Sequence, residues 1–217
     1  VIRSSATYTV TATNSGGSTS FGVIITVNDS APSALSYSSP NVFTKDVAIA
    51  PLSPSVSGGM VVTYSVSPGL PLGLSFDTTT GVISGTPSVI SSSDTYTVTA
   101  VNSGGATSFG VVITVNDSAP SSLSYTSPNV FTKDVAIAPL SPSVSGGAVV
   151  SYSIAPTLPL GLNFDTASGV ISGTPSVIRS SATYTVTATN SGGSTSFGIV
   201  ITVNDSAPSA LSYNSPN

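Results

Sequence analysis

An internal repeat of 88 residues organises this chain. The segment 1–5 recurs as 89–93 and again as 177–181, so equivalent positions fall 88 residues apart. Two complete copies follow from this spacing, 30–117 and 118–205, and they differ at 15 of their 88 aligned positions. A repeat of this length can enclose a small hydrophobic core of its own. The sequence therefore predicts tandem domains.

The two ends of the chain match parts of the same repeat. Residues 1–29 match its final part, and residues 206–217 match its beginning. Together they supply 41 of the 88 positions, so the end of one copy and the start of another do not make a whole repeat. We therefore expect a segment of a longer array.

A β-hairpin is predicted within the most distinctive stretch, 70–87, and in its second copy, 158–175. Apolar residues alternate there with small or polar ones, which is the period of half-buried strands. Asp77 can open a type I turn, and Gly81 can adopt the left-handed conformation that closes it. Gly85 would allow another backbone to approach closely.

Short strand signals fill the rest of each repeat, and no segment has a helical period. Thr, Val and Tyr dominate these segments, as is typical of strands. About seven strands in fewer than 90 residues predict an all-β fold of tandem Ig-like or cadherin-like β-sandwiches. The predicted strands of the first full repeat are 35–37, 42–50, 61–66, 74–76, 82–84, 95–100 and 109–115.

Two long motifs carry a family resemblance. They are YSVSPGLPLGLSFDTTTGVISGTP at 64–87 and YTVTAVNSGG at 96–105. Both resemble the He-PIG repeat, an immunoglobulin-like domain of bacterial surface and secreted proteins that is related in fold to cadherin domains. The resemblance covers both full repeats and both partial ones. It implies a sandwich used in extracellular arrays and no particular activity.

The resemblance also implies which residues anchor the core. Immunoglobulin domains place a Tyr two residues before the cysteine of their sixth strand. Tyr96 and Tyr184 would hold that position here, and Val98 and Val186 would replace the cysteine.

The amino-acid composition disfavours nucleic-acid binding and the common catalytic sites. Only 6% of the residues are charged, and four basic against eight acidic residues leave a net charge of −4, which disfavours nucleic-acid binding. Cys and His are absent, so the usual catalytic triads and thiolate sites cannot form. The stretch 77–81 is a near miss to the Asp-Thr-Gly of aspartic proteases, and its hairpin context favours a turn. We expect no enzyme, no catalytic residue and no cofactor. No apolar run in this segment is long enough to span a membrane.

A calcium site is the one metal site for which the sequence offers candidate ligands. The junction 115–120 resembles the calcium-binding linker of cadherins, and Asp117 with Asp46 could supply part of a weak site. Cadherins take much of their ligand set from Glu, which this chain lacks. We therefore expect a simple turn between repeats and no metal site.

Covalent modification is the remaining alternative. Lys45 or Lys133 could form a crosslink to Asn102, Asn116 or Asp117, but a Lys beside an Asp is also typical of a protected sheet edge. We expect no crosslink. Three Asn-Asp-Ser sequons are glycan acceptors only in a host that glycosylates such sites, and they begin at Asn28, Asn116 and Asn204.

These observations predict an extracellular or cell-surface structural repeat that forms a filament or a stalk, with copies of itself as its partners. Near-identical units favour added length over varied ligands, and a surface rich in Ser and Thr opposes self-packing only weakly. The alternative is an adhesin module that binds a host or neighbouring-cell ligand, with or without calcium. A carbohydrate-binding appendage of a secreted hydrolase ranks third. The sequence names no ligand.

Overall fold

The computed structural model describes residues 3–213, with side chains from residue 5 onward, and every regular element in that range is a β-strand. The predicted all-β class is confirmed. The chain divides into two compact units, 1–116 and 117–217, which are described separately. The repeat boundaries at 30, 118 and 206 stay a prediction. Unit 1 begins with an antiparallel hairpin of β1 (Arg3–Asn14) and β2 (Gly17–Val27).

The rest of unit 1 is a two-layer sandwich. One sheet has the strand order β4-β10-β9-β6, and the other layer contains the pairs β3-β5 and β7-β8. An isolated bridge joins Leu52, in the segment before β5, to Ile83 of β8. Strands β4 and β10 run parallel, whereas the other pairs are antiparallel. The bounds are β3 Pro32–Ser36, β4 Asn41–Thr44, β5 Ser55–Gly58, β6 Thr63–Ser67, β7 Leu74–Phe76, β8 Ile83–Gly85, β9 Ser91–Asn102 and β10 Gly105–Asn116.

Unit 2 repeats this topology. Its larger sheet has the order β12-β18-β17-β14, the pairs β11-β13 and β15-β16 form the other layer, and Leu140 bridges to Ile171. The bounds are β11 Pro120–Ser124, β12 Asn129–Thr132, β13 Ser143–Gly146, β14 Ser151–Ala155, β15 Leu162–Phe164, β16 Ile171–Gly173, β17 Arg179–Asn190 and β18 Gly193–Asn204.

The predicted strand 42–50 is too long. Strand β4 ends at Thr44 because Asp46 has a φ of 61°, a left-handed conformation that Asp tolerates in turns. The amide of Val47 donates to the carbonyl of Thr44 and closes this turn. The structure has eight strands per repeat because it adds β5 (Ser55–Gly58), which pairs antiparallel with β3 and is not among the predicted strands.

The core lies between the two layers and is built mainly from alternate residues of the last two strands. Tyr96 and Val98 are buried, as predicted, and so are Tyr184 and Val186 in unit 2. Their polar neighbours along the same strands point to solvent, because side chains alternate across a sheet. The four residues that the family resemblance places in the core are therefore buried, and the alternation of their strands agrees with it.

A different tyrosine bonds to the backbone. In unit 2 the hydroxyl of Tyr125 donates to the carbonyl of Gly169 over 2.6 Å, and Tyr37 makes the same bond to Gly81 in unit 1. Burial raises the pKa of the Tyr125 hydroxyl well above its usual range, and the nearby Tyr152 adds to this shift. No local motif predicts these two bonds, because each joins residues 44 positions apart in the chain.

Removing the two hydroxyl groups of unit 2 should have different effects. Tyr125→Phe leaves the Gly169 carbonyl without its donor and should lower the free energy of unfolding by about 1–2 kcal/mol. Tyr184→Phe should change it by less than about 0.5 kcal/mol, because within residues 3–213 that buried hydroxyl has no hydrogen-bond partner. Urea unfolding of the two variants checks this, and the reverse order of stability would contradict it.

Candidate functional site

A buried asparagine holds the start of each repeat in place. In unit 2 the side-chain amide of Asn190 donates to the carbonyls of Ser118 (2.6 Å) and Ala148 (3.0 Å). Its Oδ1 accepts from the amides of Gly192 (2.8 Å) and Gly193 (3.2 Å). Two donated and two accepted bonds use the full capacity of this side chain. Asn190 therefore links the β17–β18 turn to the backbone that leads into β11.

Two glycines allow this backbone to come close. A Cβ on Gly147 would lie 1.7 Å from the carbonyl oxygen of Ser118, and one on Gly192 would lie 2.0 Å from that of Asp117. Both distances are far below any van der Waals contact, so only glycine fits at these two positions. The amide of Asp117 also donates to the hydroxyl of Ser191 over 2.9 Å. We call the set of Gly147 and residues 190–193 the junction clamp.

Unit 1 contains the same clamp. Asn102 donates to the carbonyls of Ser30 (2.7 Å) and Met60 (3.1 Å), and its Oδ1 accepts from the amides of Gly104 and Gly105. Gly59 meets the Ser30 carbonyl as closely as Gly147 meets that of Ser118. The residues that end one repeat and begin the next are thus fixed by the repeat that they enter.

Sequence reasoning missed the clamp. The Asn-Ser-Gly-Gly motif at 14–17, 102–105 and 190–193 predicts a tight turn, and it does form one. Its second role depends on a contact about 70 residues away, as in the bond from Asn102 to Ser30. The only local signal is that an Asn precedes two glycines in all three copies, which is more than a hairpin turn needs.

The near miss to an aspartic protease is a turn. Asp77 Oδ1 accepts from the amides of Thr79 (2.8 Å) and Thr80 (3.2 Å), and the Gly81 amide donates to the Asp77 carbonyl. Gly81 has a φ of +74°, as the predicted turn requires. Hydrogen bonds from the Thr80 side chain and from the two amides lower the pKa of the Asp77 carboxyl. The Asp77 carboxylate, which accepts these hydrogen bonds, therefore stabilises the turn of the hairpin.

Both turn carboxylates should make stability depend on acid pH. The pKa of Asp165 is lowered by the amide of Ala167 and by Ser168, as that of Asp77 is by its own turn. A lowered folded-state pKa adds stability above the unfolded value of about 3.9, and this stability is lost as pH falls through the folded pKa. The melting temperature should fall from pH 5 to pH 2, and less steeply in the double variant Asp77→Asn/Asp165→Asn. If the melting temperature fell equally steeply with pH in the original chain and in the double variant, the two carboxylates would not stabilise their turns.

The two lysines form ion pairs in turns. Lys45 Nζ lies 2.5 Å from a carboxylate oxygen of Asp46, and the Lys133–Asp134 pair is 3.3 Å apart. Both pairs are partly exposed and follow the edge strands β4 and β12, where they discourage edge-to-edge pairing. Of the candidate crosslink partners, Asn102 already uses its side chain fully in the clamp. Asn116 meets Lys45 through main-chain atoms, as its carbonyl accepts the Lys45 amide over 2.8 Å.

The junction 115–120, where a weak calcium site was the alternative to a simple turn, brings no ligand cluster together within the described residues. Within residues 3–213 no three Asp, Glu, His or Cys side chains are grouped to hold a metal ion. Asp117 Oδ1 accepts from the Ser118 amide, and Asp46 pairs with its neighbour Lys45.

Two of the three sequon asparagines, Asn28 and Asn204, are exposed, and Asn116 is half-buried.

The chain should fold without calcium and without crosslinks. A chelator should leave its melting temperature unchanged, since no cluster of hard oxygen ligands is present in the described residues. Its intact mass should equal that of the sequence. Loss of ammonia or water would reveal a Lys bond, and a lower melting temperature in chelator would reveal a bound cation.

The aromatic side chains of the two sandwiches do not offer a stacking platform. Every Tyr and Phe between residues 30 and 205 is buried or half-buried, as at the tilted Tyr37–Phe109 contact with ring centroids 6.3 Å apart. The exposed aromatic residues lie outside the sandwiches, and they are Tyr8, Phe21 and Tyr213. Nothing in residues 30–205 therefore supports carbohydrate stacking.

Comparison with known proteins identifies the repeats. The family model He_PIG, described as "Putative Ig domain", matches residues 24–116 and 112–204. The chain belongs to this family. The two He_PIG domains are the sandwiches described above, and the resemblance that the hairpin motif predicts is confirmed.

The fold of these He_PIG domains recurs in solved structures. Extracellular domains 3–5 of Drosophila OTK match with a TM-score of 0.50 at 16% identity, over 79% of this chain and 62% of that one. The titin fragment I67–I69 matches with a TM-score of 0.47 at 15% identity, over 94% and 75% of the two chains. At such low identity a structural match concerns the fold alone, and the Ig-like assignment rests on the family match and on the strand order of the two sandwiches.

A curated protein shares sequence with these domains. The "Serine-rich adhesin for platelets" of Staphylococcus aureus is 34% identical over 160 residues, which are 70% of this chain and 7% of the adhesin. The He_PIG chain thus spans a small part of the length of that relative. In the present chain, the described residues include no helix long and apolar enough to cross a membrane.

Proposed function

We propose that this chain is a non-catalytic, extracellular structural repeat whose units add length to a surface stalk or filament and transmit tension along it. The observation that supports this role is the parallel pairing of the edge strand β12 with the last strand, β18. The pairs run from Asn129 opposite Ile201 to Thr132 opposite Asn204, and the Lys133 amide donates to the Asn204 carbonyl over 2.8 Å.

Parallel pairing determines how such a unit resists force. A pull on the chain draws β12 toward its N-terminal end and β18 toward its C-terminal end. Because the two strands point the same way, they must slide past each other, and their hydrogen bonds carry the force together. An antiparallel pair pulled from adjacent ends would instead lose its bonds one at a time. The arrangement therefore suits a spacer under tension.

One hydrogen bond of this pair can be removed on its own. Lys133→Pro removes the amide that donates to Asn204, whereas Lys133→Ala keeps it, and both lose the ion pair to Asp134. In single-molecule pulling of the full chain, the Pro variant should lower the unfolding force of one of the two units. The Ala variant should unfold at the original force. Equal forces in both variants would contradict the proposal.

Copies of the same chain are the partners that we propose for the filament form. The outer faces of the sheets carry hydroxyl pairs instead of charges, such as Thr187 with Ser196 at 2.8 Å and Thr99 with Ser108 at 2.8 Å. With 6% charged residues, little repulsion opposes packing of one unit on another. Contacts of this kind would repeat along the array and need not close.

Light scattering and electron microscopy of unglycosylated protein at rising concentration test the filament. Growing particles with a regular repeat would support it. Monomers that persist at millimolar concentration would contradict it and would leave the stalk as the structural role.

The similarity to the staphylococcal adhesin favours a second candidate, a module that binds a cell through the loops at the ends of its units. That protein is named for platelets, so platelets are the natural first probe. Saturable binding of the isolated chain to platelets would favour the adhesin, and its loss in chelator would make the binding calcium-assisted. Absence of binding would leave the structural role.

A further inference from the structure

A surface pocket of unit 2 shares no residue with the junction clamp. It encloses about 360 Å³ between the loop that precedes β15 and the start of β17, a volume typical of small-ligand sites. Leu158, Leu160 and Ile178 are apolar residues of its wall, and the last two are 71% and 58% exposed. Their counterparts in unit 1, which another repeat follows, are Leu72 and Ile90, at 68% and 52%. The exposure is therefore a property of the repeat.

The floor of the pocket carries a polar group that the fold does not use. Tyr184 lines the pocket although it is only 1% exposed, so its ring closes the inner end. Within residues 3–213 its buried hydroxyl has no hydrogen-bond partner. A buried polar group without a partner is costly, and native proteins keep few of them. An acceptor on a bound ligand would satisfy this hydroxyl.

The rim of the pocket adds one positive charge. Arg179, the first residue of β17, lines the pocket and is exposed. Among the described residues it forms no ion pair, and no acidic side chain lines the pocket with it. A guanidinium binds a carboxylate through two parallel hydrogen bonds. The pocket therefore combines a cation, a buried hydroxyl donor and apolar walls.

Comparison of the two repeats singles out the same place. Only two of their 15 differing positions change the charge: Ser91 of unit 1 is replaced by Arg179, and Asp94 is replaced by Ala182. Both replacements make unit 2 more positive at the start of β17. The two repeats therefore differ in charge only beside this pocket.

We propose that this pocket binds a carboxylate that is joined to a branched aliphatic group. The Arg179 guanidinium pairs with the carboxylate, and the Tyr184 hydroxyl donates to one of its oxygens. The aliphatic group packs against Leu158 and Ile178. Such a group occurs at the end of a peptide whose last residue is Leu, Ile or Val, and in free acids of the same kind. This binding site goes beyond the proposed structural role and does not depend on it.

Titration of the isotope-labelled full chain with N-acetyl-leucine, followed by NMR, tests the site. Resonances of 157–160 and 177–184 should shift with a dissociation constant of about 1 mM, as is usual for so small a ligand. N-acetyl-leucinamide lacks the charge and acetate lacks the aliphatic group, so each should bind about tenfold more weakly or worse. An acetylated peptide that ends in Ala-Ala-Leu distinguishes the two sources of the group. Tighter binding than that of N-acetyl-leucine indicates a chain end, and equal or weaker binding indicates a free acid.

Two variants remove the polar contacts and should keep the fold. Arg179→Ser introduces the residue that unit 1 carries at the same position, and Tyr184→Phe removes a hydroxyl that has no partner in the described residues. Each should weaken the binding of N-acetyl-leucine about tenfold, because a hydrogen bond to a charged group is lost. Lys45→Ala is the matched control, since it removes one positive charge from unit 1 and should leave binding unchanged.

Unit 1 allows the reverse test, in which a site is gained. The triple variant Gly69→Thr, Ser91→Arg and Asp94→Ala gives unit 1 the pocket residues of unit 2 and removes the acidic side chain beside them. A Cβ on Gly69 meets no atom within 4 Å, so the new Thr has space. This variant should bind two molecules of N-acetyl-leucine in place of one.

Any one of several results would overturn the proposal. The first is the absence of shifts at 157–160 and 177–184 with N-acetyl-leucine at tens of millimolar. The second is equal binding of the amide or of acetate, which would show that the charge or the apolar wall plays no part. The others are unchanged binding in Arg179→Ser or in Tyr184→Phe, and a single site in the triple variant.

Discussion

Tyr184→Ala should lower the free energy of unfolding of unit 2 by about 3–5 kcal/mol. The ring is 1% exposed, and truncation leaves a cavity between the two layers that the stiff β-branched neighbours cannot fill. A loss of this size is a large share of the stability of a small domain.

Calorimetry of the full chain measures this effect with unit 1 as an internal reference. The transition of unit 2 should move down by roughly 15 °C or more and separate from that of unit 1. Tyr213→Ala is the control, because that side chain is 85% exposed and its loss should move neither transition. An unchanged melting profile for Tyr184→Ala would show that the ring does not anchor the core.

Asn190→Ala should cost unit 2 about 3–4 kcal/mol. It removes four hydrogen bonds and leaves the carbonyls of Ser118 and Ala148 without their donor in a largely buried site. The amides of the β17–β18 turn lose their acceptor at the same time. The effect should therefore exceed that of a single lost hydrogen bond.

The control for this prediction comes from the repeat itself. Asn163 is exposed on β15, and unit 1 carries Ser75 at the same position, so Asn163→Ser should be nearly neutral. In urea unfolding, the free energy of unfolding of unit 2 should be far lower for Asn190→Ala than for Asn163→Ser. In the Ala variant, hydrogen exchange should also be faster at the amides of 117–119. Equal stability of the two variants would mean that the clamp is not a structural element.

Sequence periodicity was sufficient to predict the fold. Strand β9 alternates Tyr, Val and Ala with Thr, and the structure buries the first set and exposes most of the second. The hairpin β7–β8 also forms as predicted, because Asp77 and Gly81 define their turn through local bonds. Such features depend on residues close together in the chain.

Features that depend on distant residues were not predictable in the same way. The end of β4 follows from the φ of Asp46, whose amide donates to the carbonyl of Pro87, and the Tyr37 hydroxyl finds Gly81 across the sandwich. The clamp joins Asn102 to Ser30 by closing the whole domain. A pattern along the chain shows that these residues are polar or small but not which backbone they meet.

The direction of pulling tests the tension-bearing role most directly. The chain has no cysteine, so introduced pairs of Cys give unique attachment points. Ser118→Cys with Asp205→Cys loads unit 2 end to end and shears β12 against β18. Lys133→Cys with Asp205→Cys pulls on the C-terminal ends of the same two strands and separates them one bond at a time. We expect the end-to-end geometry to need a several-fold higher unfolding force. Equal forces in the two geometries would contradict a repeat built to carry tension.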